Sequence, residues 1–355
     1  MNRNRRFAQH MAYDAADAQA INRSNLAAGL VGLTSPQGVR LDSAEDASIF
    51  FARELDYVKA HSYDRLYPEL TALSIFPQTS EVPEGAESVT WYSYERTGMA
   101  QIIANYATDL PRADIKGEPN TSYVKSLGDS YGYSIQEMRA SMYAGKSLDA
   151  RKADSARYNI ERLRNKLAWA GDVKANIKGV LSAGTGIPKL VLPASVGNPT
   201  STAWKDKTAD EILNDIKLMY QYQTQLTQGV ERADTLVLPN DVYIDISQRR
   251  VGDTSDTVLS YILKNAPYRT PQNQTPLTIV AAPELMAGSG ETNPAGVNTA
   301  VLFKNDAEKF SIESPMPYTQ HPVQTMGLEM TVPCEARFAG AIIYYPFSLL
   351  IVENI

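Results

Sequence analysis

The spacing of hydrophobic positions changes along the chain, and each change marks a different kind of element. Near the start, Phe7, Met11, Ala15 and Ala18 fall at helical spacing, which predicts a weakly amphipathic helix that stops where Gly32, Pro36 and Gly38 break the chain. A second helix is predicted from Asp42 or Ser43, with Glu45 and Asp46 in its first turn and Phe51, Leu55 and Val58 on its buried stripe. Residues 66–90 carry Pro68, Pro77, Pro83 and Gly85 and read as extended, turn-rich chain. VTWYSYERTGMAQIIANY then shows a strand pattern with a bulge at Gly98. ADIKGEPNTSY is punctuated as a turn by Gly117, Pro119 and Asn120, and YVKSLGDSYGY reads as the returning strand. Together these predict a hairpin with its tip between Asp114 and Thr121 and no clear apolar face. Strands of about 15 residues would make it roughly 50 Å long.

Downstream the signals are helical. Ser134 and Glu137 form a capping box, in which each side chain satisfies a free backbone amide of the other, and the helix it opens should stop at Gly145. Ser147 then caps a long helix over 147–171, whose seam Ala153, Ala156, Ile160, Leu163, Leu167 and Ala170 advances by threes and fours. A Gly-, Pro- and Ser-rich connection over 180–205 leads to a second capping box, Thr208 with Glu211, and a helix with Ile212, Ile216, Met219 and Leu226 on one face. TLVLP (235–239) and LTIVAAP (277–283) read as buried strands with a helix around Ser255–Lys264 between them, a compact α/β subdomain. Near the end, Met330, Val332, Cys334, Ala336 and Phe338 alternate with polar Thr331, Glu335 and Arg337, as on a half-exposed sheet. AIIYYPFSLLIV is apolar on both faces.

Composition narrows the function class. The 355 residues are 43% hydrophobic and 21% charged, ordinary values for a globular protein. Twenty tyrosines against eight phenylalanines favour half-buried surfaces such as subunit contacts. A net charge of −6 argues against a dedicated nucleic-acid reader. The charge is uneven, however. Arg3, Arg5 and Arg6 make the start basic, and Arg151, Lys152, Arg157, Arg162, Arg164 and Lys166 outnumber the acids of the long helix. That excess is either a solvated face with pairs such as Arg157–Glu161, or a surface turned to a polyanion. The start has no apolar core of a signal peptide, because Asp14 and Asp17 interrupt it, and the longest apolar runs are too short to span a bilayer. The single cysteine, Cys334, excludes an internal disulfide and reads as an inert thiol on the apolar face of a strand, in keeping with a reducing compartment.

Catalytic and ligand-binding patterns are missing. His10, His61 and His321 are not at metal-ligand spacing. Gly184-Thr185-Gly186 lacks the P-loop spacing before Lys189, and Gly288-Ser289-Gly290 is not a nucleophile elbow. No enzyme, metal or cofactor is expected. The informative feature is the hairpin, because two strands alone are marginal in water and must lie on something.

The order of these parts, with ATDLP (107–111), VKSLGDSYGYSIQEMRAS (124–141), GKSLDARKADSARYNIERLRNKLAWAGD (145–172) and the ending at 330–354, resembles the tailed-bacteriophage major capsid proteins of the Hong Kong 97-type fold, which encapsulin shells share. The resemblance implies an α+β fold with an N-terminal arm at 1–60 and a strand region at 61–84 leading into the P-domain. It places an extended E-loop at 85–135, the P-domain at 136–190 with its spine helix at 147–171, an A-domain at 191–304, and a β return to the P-domain at 305–355. It implies a chain that polymerises with itself through pentamers and hexamers into an icosahedral virion shell, assembled in the host bacterial cytoplasm around non-specifically held double-stranded DNA. A portal protein, and scaffolding or decoration proteins, would be further partners, and no membrane is involved.

On that resemblance Asp114, Lys116 and Glu118 are expected to form salt bridges from the E-loop to a neighbour. Ile160, Leu163 and Leu167 should form the core of the spine helix. Arg3, Arg5, Arg6, Arg151, Arg157 and Arg164 are candidates to face DNA. The alternatives are an encapsulin-type compartment around a protein cargo, a monomeric carbohydrate- or peptide-binding protein with a tyrosine-lined groove, and an enzyme with a pocket the sequence does not reveal.

Overall fold

The structure, a computed structural model, describes residues 67–100, 102, 112–145, 148–265 and 277–355. The two helices expected before residue 60, Arg3, Arg5, Arg6 and the capping Ser147 lie outside the described residues. A one-turn helix α1 (Ala72–Ile75) leads to β1 (Gln78–Thr79), then β2 (Ser88–Thr97), β3 (Asp114–Tyr123) and β4 (Lys125–Ser134). Next come α2 (Ile135–Ala144), the long α3 (Leu148–Trp169) and β5 (Lys189–Val191). α4 (Ala209–Thr227), β6 (Thr235–Pro239), α5 (Asn240–Gln248), α6 (Val258–Lys264) and β7 (Thr278–Ala282) follow. The remainder is β8 (Thr299–Phe303), β9 (Phe310–Glu313), β10 (Met316–Gln320), β11 (Gln324–Met326), β12 (Glu329–Phe338), β13 (Gly340–Ile343) and β14 (Leu349–Glu353).

Both capping boxes form. The Glu137 N–H donates to Ser134 Oγ at 3.1 Å while the Ser134 N–H donates back to the Glu137 carboxylate at 3.3 Å. Gly145 then ends α2 in the left-handed region, φ +64°, where a side chain would be strained. Thr208 and Glu211 make the same exchange at the start of α4. Along α4, Ile212, Ile216 and Met219 are buried as expected, whereas Leu226, beyond the last buried residue Gln223, is exposed.

One mixed sheet has the order β5-β14-β8-β6-β7. β6 and β7 are parallel neighbours linked through α5 and α6, the connection that parallel strands require. β6 and β8 are buried at every position, which explains their uninterrupted apolar sequences. β14 runs antiparallel to β8 and parallel to β5. The sheet therefore draws strands from both sides of the sequence boundaries at 190/191 and 304/305. Beneath α4, the Lys207 ammonium and Asp215 carboxylate lie 2.6 Å apart, almost fully buried. Burial pushes the Asp215 carboxyl up, against the opposing pull of Lys207 and of the Trp204 indole N–H.

A second core joins α3 to a small sheet of order β1-β9-β13. Phe76, Trp169, Phe303 and Phe310 cluster there with ring centroids 4.7–5.6 Å apart. Two buried carboxylates tie the preceding segment to this core. Glu284 accepts from the Thr71 N–H (3.0 Å), the Thr71 hydroxyl (2.7 Å) and Asn165 Nδ2 (2.8 Å). Glu313 accepts from the Val82 N–H at 3.1 Å and from the Thr79 hydroxyl.

The third sheet centres on β12, whose alternation is as read: Val332, Cys334, Ala336 and Phe338 are buried. Ala156 and Ile160 of α3 pack on Val332, Cys334 and Ala336. One edge of β12 pairs with β10 and β11. Its other edge pairs with β4 along all ten residues, from Glu329↔Ser134 to Phe338↔Lys125. YVKSLGDSYGY is therefore not the returning strand of the hairpin. Its partner is more than 190 residues away in the chain, which local pattern cannot show.

Candidate assembly surfaces

β2 and β3 form a two-stranded sheet on their own, in a register running from Ser88↔Tyr123 to Thr97↔Asp114. The strands have ten residues each, so the paired part is about 33 Å long rather than roughly 50 Å. Asp114, Lys116 and Glu118 sit in the returning strand, opposite Thr97, Glu95 and Ser93, and not at a tip. GEPNT is strand despite its turn-like residues, because Pro119 and Gly117 pair in a ribbon with free outer edges.

The register sorts the hairpin into two unlike faces, since directly paired residues share a side and neighbours alternate. One face carries Ser93, Glu95, Asp114, Lys116, Glu118 and Asn120, where Asn120 Nδ2 donates to Ser93 Oγ at 3.1 Å. The other carries Tyr92, Tyr94, Ile115, Gly117 and Pro119, with Arg96 towards its outer end. Tyr92 and Tyr94 stack with centroids 6.5 Å apart, and the Tyr94 ring lies over Gly117, where an added Cβ would come within 3.0 Å of it. Tyr92 is 64% exposed, Tyr94 71% and Ile115 63%. So the hairpin does have an apolar face, and nothing in the described residues covers it. Its root is fixed: Trp91 meets Tyr344 edge-on at 5.6 Å, Ser122 is buried, and the Val124 N–H donates to the Glu87 carbonyl at 2.9 Å.

Ile160, Leu163 and Leu167 of α3 are the residues expected in its core. Ile160 and Leu167 are buried, but Leu163 is 39% exposed and does not belong to the seam. The buried stripe passes through Ile160, Arg164, Leu167 and Ala168. Leu163 lies one residue, about 100° of helix rotation, behind Arg164 and falls off its edge. Arg164 is correspondingly not a DNA-facing candidate. It is buried, donating to both Glu161 oxygens (2.8 and 3.0 Å) and to Ser314 Oγ (2.8 Å), with its guanidinium over the Phe338 ring at 5.7 Å. Glu161 is thus taken by Arg164, not by Arg157. Arg151 and Arg157 are exposed.

α2 is unusual in having no buried residue. Ile135, Met138 and Met142 recur by threes and fours on one stripe, of which Ile135 and Met138 are half-buried. Met142 is 77% exposed. The Ile135 N–H donates to the Leu328 carbonyl at 3.0 Å, which brings the exposed Leu328 of the β11–β12 turn to the start of α2. Lys152 of α3 donates to the Gly132 carbonyl (2.7 Å) and to Glu137 (3.0 Å), holding the β4–α2 junction. That lysine, then the Ser134 N–H, keeps the Glu137 carboxyl below the usual glutamate range. Sequence reading missed this corner and the tyrosine face alike. The Tyr-x-Tyr spacing at 92–94 was the available sign for the second; which residues face with it depends on register.

Among curated protein sequences none matches the chain. Among solved structures, the capsid of Myoviridae phage XM1 superposes with a TM-score of 0.73 at 17% identity, covering 87% of this chain and 100% of that one. A chain from Mycobacterium phage Adephagia gives 0.55 at 12% identity, covering 85% and 95%, and the capsid of an empty GTA particle gives 0.55 at 10%, covering 88% and 99%. Those likenesses establish the Hong Kong 97-type capsid fold. The family model described as major capsid protein matches residues 98–355, most of the chain, and the protein belongs to the major capsid protein family.

Proposed function

We propose that this protein is the shell subunit of a tailed bacteriophage, assembling through pentamers and hexamers into an icosahedral capsid around double-stranded DNA. Its role is structural. The observation that carries the reading is the β2–β3 hairpin, rooted in the body yet exposed along both faces, as an element built to be covered by a neighbour. This hairpin is the E-loop, with its paired strands at 88–123 inside the expected 85–135. α3 is the spine of the P-domain, and the sheet containing β6, β7 and β8 is the heart of the A-domain.

Exposed Arg151 and Arg157 remain candidates to meet DNA through non-specific phosphate contacts, as do Arg3, Arg5 and Arg6. Portal protein, and scaffolding or decoration proteins, would complete the particle in the host bacterial cytoplasm. Among the described residues no helix is long and apolar enough to cross a membrane.

The test is to express the full chain and examine it by size-exclusion chromatography and negative-stain electron microscopy. Closed particles or rings of five and six are expected. A stable monomer whose 88–123 segment resists protease would overturn the reading.

A further inference from the structure

Polar ties on both sides of the hairpin converge on β9 and on the junction of β12 with β13. On the incoming side, residues 77–87 form a strap that leads to β2. The Ile312 N–H donates to the Pro77 carbonyl at 2.8 Å and the Ser314 N–H to the Thr79 carbonyl at 3.0 Å, so the strap begins as a parallel edge of β9. Glu313 holds its middle, accepting from the Thr79 hydroxyl and from the Val82 N–H at 3.1 Å. The Arg337 guanidinium donates to the Glu84 carbonyl, inside the turn that the Ala86 N–H closes on the Pro83 carbonyl at 3.0 Å. On the returning side, the Ser122 hydroxyl donates to the Ala339 carbonyl at 3.4 Å, and the Ala339 N–H donates to the Glu313 carbonyl at 3.0 Å. Glu313 is thus tied by its side chain to the way in and, through Ala339, by its main chain to the way out.

Stability alone does not account for these residues. Glu313 is 2% exposed, and among the described residues no cation pairs with it. Arg337 buries its Nε with no partner among the described residues. Well-packed apolar side chains at such positions commonly stabilise a fold as well or better. Direction accounts for them. The edge-on Trp91–Tyr344 contact fixes a point, and a direction needs further ties beside it. A tilt of about ten degrees would swing the outer end of a ribbon about 33 Å long through about 6 Å, more than the ~4.8 Å between neighbouring strands. The ties also reach the long helix. Ser314 Oγ accepts from Arg164 at 2.8 Å and donates to the Arg337 carbonyl at 3.5 Å.

We infer that Glu313 and Arg337 are positioning residues, which act through residues 79–84 to set the direction in which the hairpin leaves the body. Ser314 and Arg164 refer that direction to α3. The inference rests on the shell-forming reading and deepens it, because an element to be covered by a neighbour has to arrive at a fixed angle.

Double electron–electron resonance tests it on the full chain, held dilute enough to stay unassembled. Spin labels go on Glu95→Cys in the hairpin and on Arg157→Cys, exposed on α3. Cys334 is buried and stays in place. Thr79→Val combined with Arg337→Met removes two ties and should widen the distance distribution at least about twofold. Glu313→Ala should do the same. Glu313→Gln should keep it narrow, since the amide oxygen still accepts from Val82 and the Thr79 hydroxyl can turn to accept from the amide. Should Glu313→Ala fail to fold, the double variant carries the test. Ile246→Val, buried in the other core, is a destabilised control that should leave the distribution unchanged. An unwidened double variant, or equal widening in the control, overturns the inference and leaves shell formation intact. At matched melting temperature the double variant should also give at least about fivefold fewer closed particles than the control, because a wandering hairpin is no longer pre-organised. Normal yield from a widened variant would overturn the role in assembly. A wild-type chain that forms no particles would remove the shell reading instead, and the distances would still decide whether these residues set the direction.

Discussion

β3 and β4 are neighbouring strands of equal length, separated only by Val124, and both are rich in polar and small residues. Their fates differ. β3 pairs with the nearby β2 and is exposed at every residue but Ser122. β4 pairs along its whole length with the distant β12 and lies against α3, with Leu127 buried and Tyr131 packed at the Ala156–Ile160 cluster. Strand propensity does not separate them. The difference lies in what covers them: for β4 the chain supplies a helix, a ladder and the Lys152 and Asn159 hydrogen bonds, and for β3 it supplies a ladder and, at the root, the Ser122 hydroxyl's bond to the Ala339 carbonyl. A strand left in that condition makes physical sense when its cover comes from another copy.

The largest effect should come from removing β3's side of the comparison. Trp91 and Asn120 are register partners, so residues 92–119 can be replaced by a two-residue Asn-Gly turn that keeps the rooted base. The body should keep its circular dichroism and melting temperature while closed particles vanish from electron micrographs. Normal particles from this variant would remove the hairpin from assembly altogether.

The opposite manipulation attacks β4's cover. Ile160→Asp puts an unpaired carboxylate between α3 and β12, and should destabilise the subunit by more than about 3 kcal/mol in denaturant unfolding. Leu163→Asp, at the position the sequence placed in the same seam, should stay within about 0.5 kcal/mol, because Leu163 is exposed. Equal losses at the two positions would mean that Leu163 is covered after all.

That pair also shows how far the sequence was legible. Features decided within a few residues could be read: both capping boxes, the left-handed Gly145, the alternation of β12 and the strands β6 and β7. Features decided at long range could not. Arg164 looked like a surface charge because its partners include Ser314 and Phe338, far along the chain. β4 looked like the hairpin's return because β12 is invisible from its neighbourhood, and KGEPNT looked like a turn because Gly and Pro are tolerated where edges are free. Asp114, Lys116 and Glu118 move with that register, from the expected tip to the polar face of a strand.

The smallest effect belongs to β4's tie to α2. Glu137 is held below the usual glutamate range chiefly by Lys152, which also grips the Gly132 carbonyl at the end of β4. A carboxylate whose folded pKa is depressed contributes stability that is complete above its ordinary value and is lost as pH falls through the depressed one. Glu137→Gln should therefore lower the melting temperature near neutrality by about one degree, and the gap to wild type should close as the solution is acidified through that window. Because Glu137 is exposed, salt should narrow the gap as well. A gap that persists unchanged in strong acid would show that the glutamine is harming the capping box by its shape, and that Lys152 holds β4 in place through the Gly132 carbonyl alone.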